Sequence, residues 1–210
     1  MTAHKKHDDE GLNMIRKLRP AAFAAALLMS MQIANAGVLF FSASLTGAAE
    51  DPPVLSGGTG HVAVTFDDVT SMLTVDVSFS GLTGLTAVAH IHCCTAAPSA
   101  GNVGVATVVP TLPGFPAGVM AGVYTETFDL TDAASFNPAF ITASPGSTVD
   151  AARARLIGGL LAGTAYLNIH TTEFPRGEIR GFPVAEPQTL SLAALLLLAL
   201  PALRRRRTVN

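Results

Sequence analysis

Three of the six histidines and both cysteines of this 210-residue chain fall in two short stretches. Ala89-His90-Ile91-His92-Cys93-Cys94 is one and Tyr166-Leu167-Asn168-Ile169-His170-Thr171 is the other. Both read as buried strands with histidine where a sheet usually carries Val or Thr. Residues i and i+2 of a strand share a face. His90, His92 and Cys94 therefore line one face of a regular strand, and His170 shares its face with Asn168 and Tyr166. If the two strands are neighbours, three imidazoles converge. Three ring nitrogens with a Cys94 thiolate are a ligand set suited to zinc or copper.

A second reading of the same residues needs no metal. A buried imidazole also serves as a hydrogen-bonding core group where a loop leaves carbonyls unpaired. Glu178 and Arg180 are placed to bond His170 and Thr171 across the closing hairpin, and around a metal the same two residues would hold its ligands from behind. No catalytic constellation is complete. Cys93 and Cys94 have no local argument for a nucleophile, and Glu178 lacks a carboxylate partner for acid–base work. The chain therefore reads as a non-enzyme. His61 opens a strand and reads as surface. Gly57-Gly58-Thr59-Gly60 is not a phosphate loop, because neither Lys-Ser/Thr nor a helix follows it.

The cysteines are adjacent, and neighbouring strand residues point to opposite faces. Cys93 and Cys94 are thus a vicinal disulfide, free thiols, ligands, or partners in bonds to other molecules.

The elements that must carry these residues are mostly strands. Period-two patterns cover Phe41–Leu45, His61–Phe66, Met72–Ser80, Ala87–His92, Val103–Val109, Val123–Leu130, Thr164–Thr171 and Glu178–Phe182, split by turn residues. One helix is expected, capped by Asp150 and ending near Gly158-Gly159. Thr131–Phe140 holds at most one helical turn, limited by Pro138. The spacing predicts an all-β sandwich or barrel-like domain with one short helix. Residues 37–186 carry four arginines, no lysine and twelve acids, a net charge of −8. That sign repels phosphate backbones and argues against nucleic acid as a partner.

The ends read as sorting segments. Residues 1–36 form a signal peptide: a basic stretch at Arg16-Lys17-Leu18-Arg19, an apolar run from Pro20 to Ile33 and a small-residue cleavage site at Ala34-Asn35-Ala36. Met14 is an alternative start. Residues 184–210 contain Glu186-Pro187, an apolar stretch of about 14 residues from Leu190 to Leu203, and Arg204-Arg205-Arg206-Arg207. That stretch falls short of the roughly 20 residues a spanning helix prefers, but it has no polar face and reads as a membrane segment held by its arginines.

This tail resembles the PEP-CTERM sorting signal, although Ala185 stands where the motif has its first proline. The resemblance implies an exosortase-type processing enzyme as partner. It also implies a transient membrane anchor, then release to the cell surface or the extracellular polymer layer. Residues 37–183 resemble the CHRD domain, through Ala89-His90-Ile91-His92, Tyr166-Leu167-Asn168-Ile169-His170-Thr171 and Gly177-Glu178-Ile179-Arg180-Gly181. That likeness implies a Greek-key all-β fold in an exported protein with a structural or binding role. The His-x-His strand is also similar to the copper strand of Cu/Zn superoxide dismutase. The alternative expectation is therefore a copper- or zinc-binding, dismutase-like protein built on His90, His92 and His170.

Overall fold

The computed structural model describes residues 37–186. The signal-peptide reading with its alternative start at Met14 lies outside the described residues, as do Pro187 and the apolar and arginine-rich tail. Among the described residues no helix is long and apolar enough to cross a membrane.

The domain is one curled antiparallel sheet of eight strands. They are β1 (Val38–Thr46), β2 (Thr59–Asp67), β3 (Met72–Ser80), β4 (Thr86–His92), β5 (Gly122–Asp129), β6 (Tyr166–Thr171), β7 (Ile179–Gly181) and β8 (Val184–Ala185). Their order across the sheet is β4-β6-β7-β1-β2-β3-β5, and β8 pairs with β1. The all-β, barrel-like expectation holds.

Two kinds of strand build it. β2 and β3 alternate as half-buried strands should. Val62, Val64 and Phe66 of β2, and Leu73, Val75, Val77 and Phe79 of β3, point into the core between solvent-facing neighbours. β4 and β6 differ, because consecutive residues of each are buried and both faces are covered. Their apolar face, Ala89, Ile91, Leu167 and Ile169, joins the common core. Their other face carries His90, His92, Tyr166, Asn168 and His170.

Val103–Val109 does not form the expected strand. It is an irregular segment with isolated bridges from Val105 to His92 and from Thr107 to Phe136. It still does an edge strand's work. Ala106 N–H donates to the Ile91 carbonyl (2.9 Å) and Leu112 N–H to that of Ala89 (3.0 Å). The Thr107 and Thr111 hydroxyls accept from the Ile91 and Ala89 amides. Gly118 and Val119 continue the cover at Thr86. The outer edge of β4 is thereby closed by loop and side-chain bonds, one of the ways an edge escapes exposure.

Two α-helices lie between β5 and β6: α1 (Pro138–Thr142), which Pro138 starts rather than limits, and α2 (Val149–Leu161). The cap of α2 is Thr148, whose hydroxyl accepts from Ala151 N–H at 3.2 Å, not Asp150. Asp150 instead sits in the first turn and pairs with Arg153 at 3.0 Å. The helix also runs through Gly158-Gly159 and ends before Gly163, whose φ of +65° suits a residue just past a helix end. Gly159 is inside the helix for a packing reason: a Cβ there would overlap the sulfurs of Cys93 and Cys94. Those sulfurs are joined in a disulfide.

Gly159→Ala is therefore expected to overpack the contact between α2 and the cysteine pair. The expected loss is about 1–3 kcal/mol, read as a lower urea midpoint with unchanged slope. An unaltered midpoint would show that the helix does not rest on these sulfurs.

Candidate metal centre

The register of β4 against β6 sets the site. His90 faces Asn168, His92 faces Tyr166 and Val88 faces His170. His170 is thus diagonal to His90 across the pair, within reach of a ring. His90 and His92 are two residues apart on one face. The ring centroids of the three histidines lie 5.9 Å (His90–His92), 5.6 Å (His90–His170) and 5.8 Å (His92–His170) apart. One nitrogen from each ring falls within 4.8 Å of the others.

Each ring is held by a backbone carbonyl. His90 Nε2 bonds to Pro110 O at 2.6 Å, His92 Nδ1 to Val103 O at 2.8 Å and His170 Nδ1 to Pro175 O at 3.1 Å. A carbonyl only accepts, so the bonded nitrogen of each neutral ring carries the proton. The other nitrogen is then a lone-pair donor. Those nitrogens, Nδ1 of His90 and Nε2 of His92 and His170, are buried without a hydrogen-bond partner. A ligand imidazole whose second nitrogen donates to a carbonyl is the usual arrangement around a protein metal.

Burial keeps the rings neutral. It lowers the His90 and His170 pKa values, against an upward pull from their carbonyl bonds. Burial pulls His92 down to about 4, opposed by the Val103 bond and helped by His170, His90 and Arg180. Tyr166 stacks flat on His92, with centroids 4.7 Å apart and 2° between planes, and fixes that ring's plane. The Tyr166 hydroxyl also contacts Val103, whose carbonyl holds His92.

The remaining expected residues are placed differently. Cys94 is bonded to Cys93 through a cis peptide pair, and both sulfurs approach the Arg155 carbonyl of α2. β4 ends at His92, so the i, i+2 rule does not carry Cys94 onto the histidine face. Its sulfur offers no thiolate while the disulfide stands.

Glu178 does not bond His170, whose partner is Pro175. Its carboxylate instead accepts from the Ser56 hydroxyl (2.6 Å), the Thr83 amide, the Gly84 amide (3.1 Å) and the Thr171 hydroxyl (2.7 Å). Burial raises its pKa, but these donors outweigh it and the net shift is downward.

Arg180 does not bond the histidines either. It donates to the carbonyls of Ala49 and Gly101 and to Asn102 Oδ1, and it pairs with buried Glu50 at 3.8 Å. Its guanidinium lies 4.8 Å from the Tyr166 ring centroid. The groups that sequence reasoning missed are mainly the three carbonyls. Any residue type supplies a carbonyl, so nothing in the sequence marks them. Of the sorting motif, Glu186 is described: its amide donates to Phe40 O at 2.8 Å, and its carboxylate accepts from Ser42.

The CHRD domain family model matches residues 41–182, which takes in every residue of this site. No curated protein and no solved structure shows significant similarity to the chain.

Glu178 ties the loop at Ser56 and the turn at Thr83-Gly84 to β6. Glu178→Ala is expected to lose about 3 kcal/mol or more, since buried donors are left unpaired. The folded-state pKa is depressed, so the part of this contribution that depends on ionisation is complete above the ordinary carboxylate pKa and is lost as pH falls through the lower, folded value. Denaturant midpoints of wild type and variant should therefore converge in acid; a constant gap would overturn the assignment.

Proposed function

The chain belongs to the CHRD-domain family, and from that premise we propose an exported binding module that holds one copper or zinc ion through His90, His92 and His170. Family membership points to an extracellular or binding-type domain. The metal reading rests on one observation: three carbonyl-anchored imidazoles each offer a nitrogen within 4.8 Å of the others, and each ring keeps one buried nitrogen without a partner. Histidines serving only as core hydrogen-bonding groups would not need this. Each unsatisfied buried acceptor costs about 1–3 kcal/mol, and one divalent cation would satisfy all three. Three protein nitrogens leave a further coordination position, as open zinc sites do. The role proposed is binding, not turnover. Dismutase activity in the metal-loaded protein would replace this reading with the enzymatic one.

Metal analysis of the purified full-length protein should give about one copper or zinc per chain. The ion should be absent from a His90→Ala/His92→Ala/His170→Ala variant. The half-buried His170 allows a gentler change, and His170→Gln should weaken metal binding roughly tenfold or more while leaving the fold intact. Metal-free protein that neither takes up added ion nor gains thermal stability from it would end the proposal.

The second part of the reading concerns location. The basic and apolar ends support export, a transient membrane anchor and processing by an exosortase-type enzyme near Glu186-Pro187. The body then reaches the cell surface or extracellular polymer, where its binding or structural work is done. A chain truncated before Glu186 should appear in the medium without membrane attachment. If the truncated chain stays with membranes, the tail is not the anchor.

A further inference from the structure

Beside the histidines lies a cavity of about 440 Å³, bordered by His92 and Tyr166 and lined by Glu50, Asn168, Glu173 and Phe174 among others. Two of these are buried polar side chains with an unsatisfied oxygen. Glu50 is 7 % exposed and Asn168 is 2 % exposed. Asn168 Nδ2 donates to Glu50 Oε2 at 3.5 Å. That leaves Glu50 Oε1 and Asn168 Oδ1 as two acceptors without a partner. Arg180 pairs with Glu50 Oε2 at 3.8 Å, but its hydrogen bonds run to Ala49, Gly101 and Asn102 and leave both of those acceptors unbonded.

The cavity is lopsided in charge. Glu50, Asp51 and Glu173 line it, with Arg176 as the basic member of the lining. Pro52, Val54, Phe174 and Pro175 provide apolar surface for a short aliphatic chain. Gly177 borders the cavity too, and a Cβ there would overlap the Asn168 amide. The loop from Glu173 to Gly177 can therefore lie close over Asn168 only with glycine at 177, where φ is +128°.

We propose that this cavity binds an aliphatic primary ammonium group, such as a lysine side chain or a free diamine, with Glu50 and Asn168 as its acceptors. One –NH3+ group supplies three donors. Two of them complete the unsatisfied oxygens, and the positive charge offsets the acidic lining. A neutral hydroxyl compound would bring donors without that charge. A carboxylate or phosphate would face the acidic side chains of Glu50, Asp51 and Glu173.

The site does not depend on a metal. The test is calorimetric titration of the chelator-treated full-length protein with 1,5-diaminopentane, beside 1,5-pentanediol and glucose as neutral probes. The diamine should bind more tightly than either neutral probe, and added salt should weaken it. Glu50→Gln should reduce affinity roughly tenfold or more, the loss expected for a hydrogen bond to a charged group. Because Glu50 also neighbours Arg180, a second variant keeps the test clear if the first is unstable. Glu173→Lys reverses one charge of the lining and should weaken the diamine alone. Equal binding of diol, glucose and diamine would overturn the proposal, and so would a diamine affinity unchanged by these substitutions. No diamine binding by correctly folded wild-type protein would do the same. The metal reading stands or falls separately, on the metal analysis of the same preparation.

Discussion

Burial of both faces of the β4–β6 pair is the constraint on which the rest depends. A strand pair covered on one side can leave its polar residues in water. This pair cannot, so every donor and acceptor on its second face must find a partner inside the protein. The three imidazoles answer that demand with one carbonyl each, and all three carbonyls come from loops rather than from the sheet. The loops at Val103, Pro110 and Pro175 are thus held by the residues they hold. The same two-sided burial depresses the histidine pKa values and leaves the remaining nitrogens as lone-pair donors.

The charged residues follow the same logic. The described body has few basic groups, and Arg180, the most deeply buried of them, is spent on structure. Its guanidinium links the turn at Ala49, the loop at Gly101-Asn102 and the ring of Tyr166. Glu50 is drawn in as its counter-ion but stays short of one partner. Burial raises its pKa to about 7, with Arg180 and the Asn168 amide pulling the other way. Glu178 sits in the opposite balance, with four donors around one carboxylate. Two buried acids thus differ in kind, and the difference lies in their neighbours rather than in residue type.

Much of the sheet was legible because β2 and β3 alternate cleanly and the turns between strands carry Gly, Asp and Ser. The convergence of His90, His92 and His170 was legible too. It needs only the period of two and a neighbour relation between two strands. Val103–Val109 misled because its Val-rich pattern matches a strand, while Pro110 and the threonine side chains take over bonds a ladder would make. The helix limits misled for a different reason. Gly158-Gly159 looks like a stop, but Gly159 answers to the Cys93–Cys94 sulfurs packed against it, a contact between residues 65 or more positions apart. Thr171 was legible as a partner of Glu178 across the hairpin, whereas the other partners of Glu178 and those of Arg180 were hidden, being set by loops that the local pattern does not describe.

β8 pairs with β1, with Ala185 opposite Phe41, and the Glu186 amide reaches the Phe40 carbonyl. The first and last described residues therefore leave from neighbouring points, because Gly37 is three residues from Phe40 and a chain spans at most about 3.6 Å per residue. A body whose ends meet in this way hangs like a pendant from whatever either end is fixed to. It can be spliced into another chain, or strung in tandem, with little change to its interior. The histidine strands lie across β7 from β1, so the histidine cluster and the neighbouring ends of the described body occupy separate parts of one sheet.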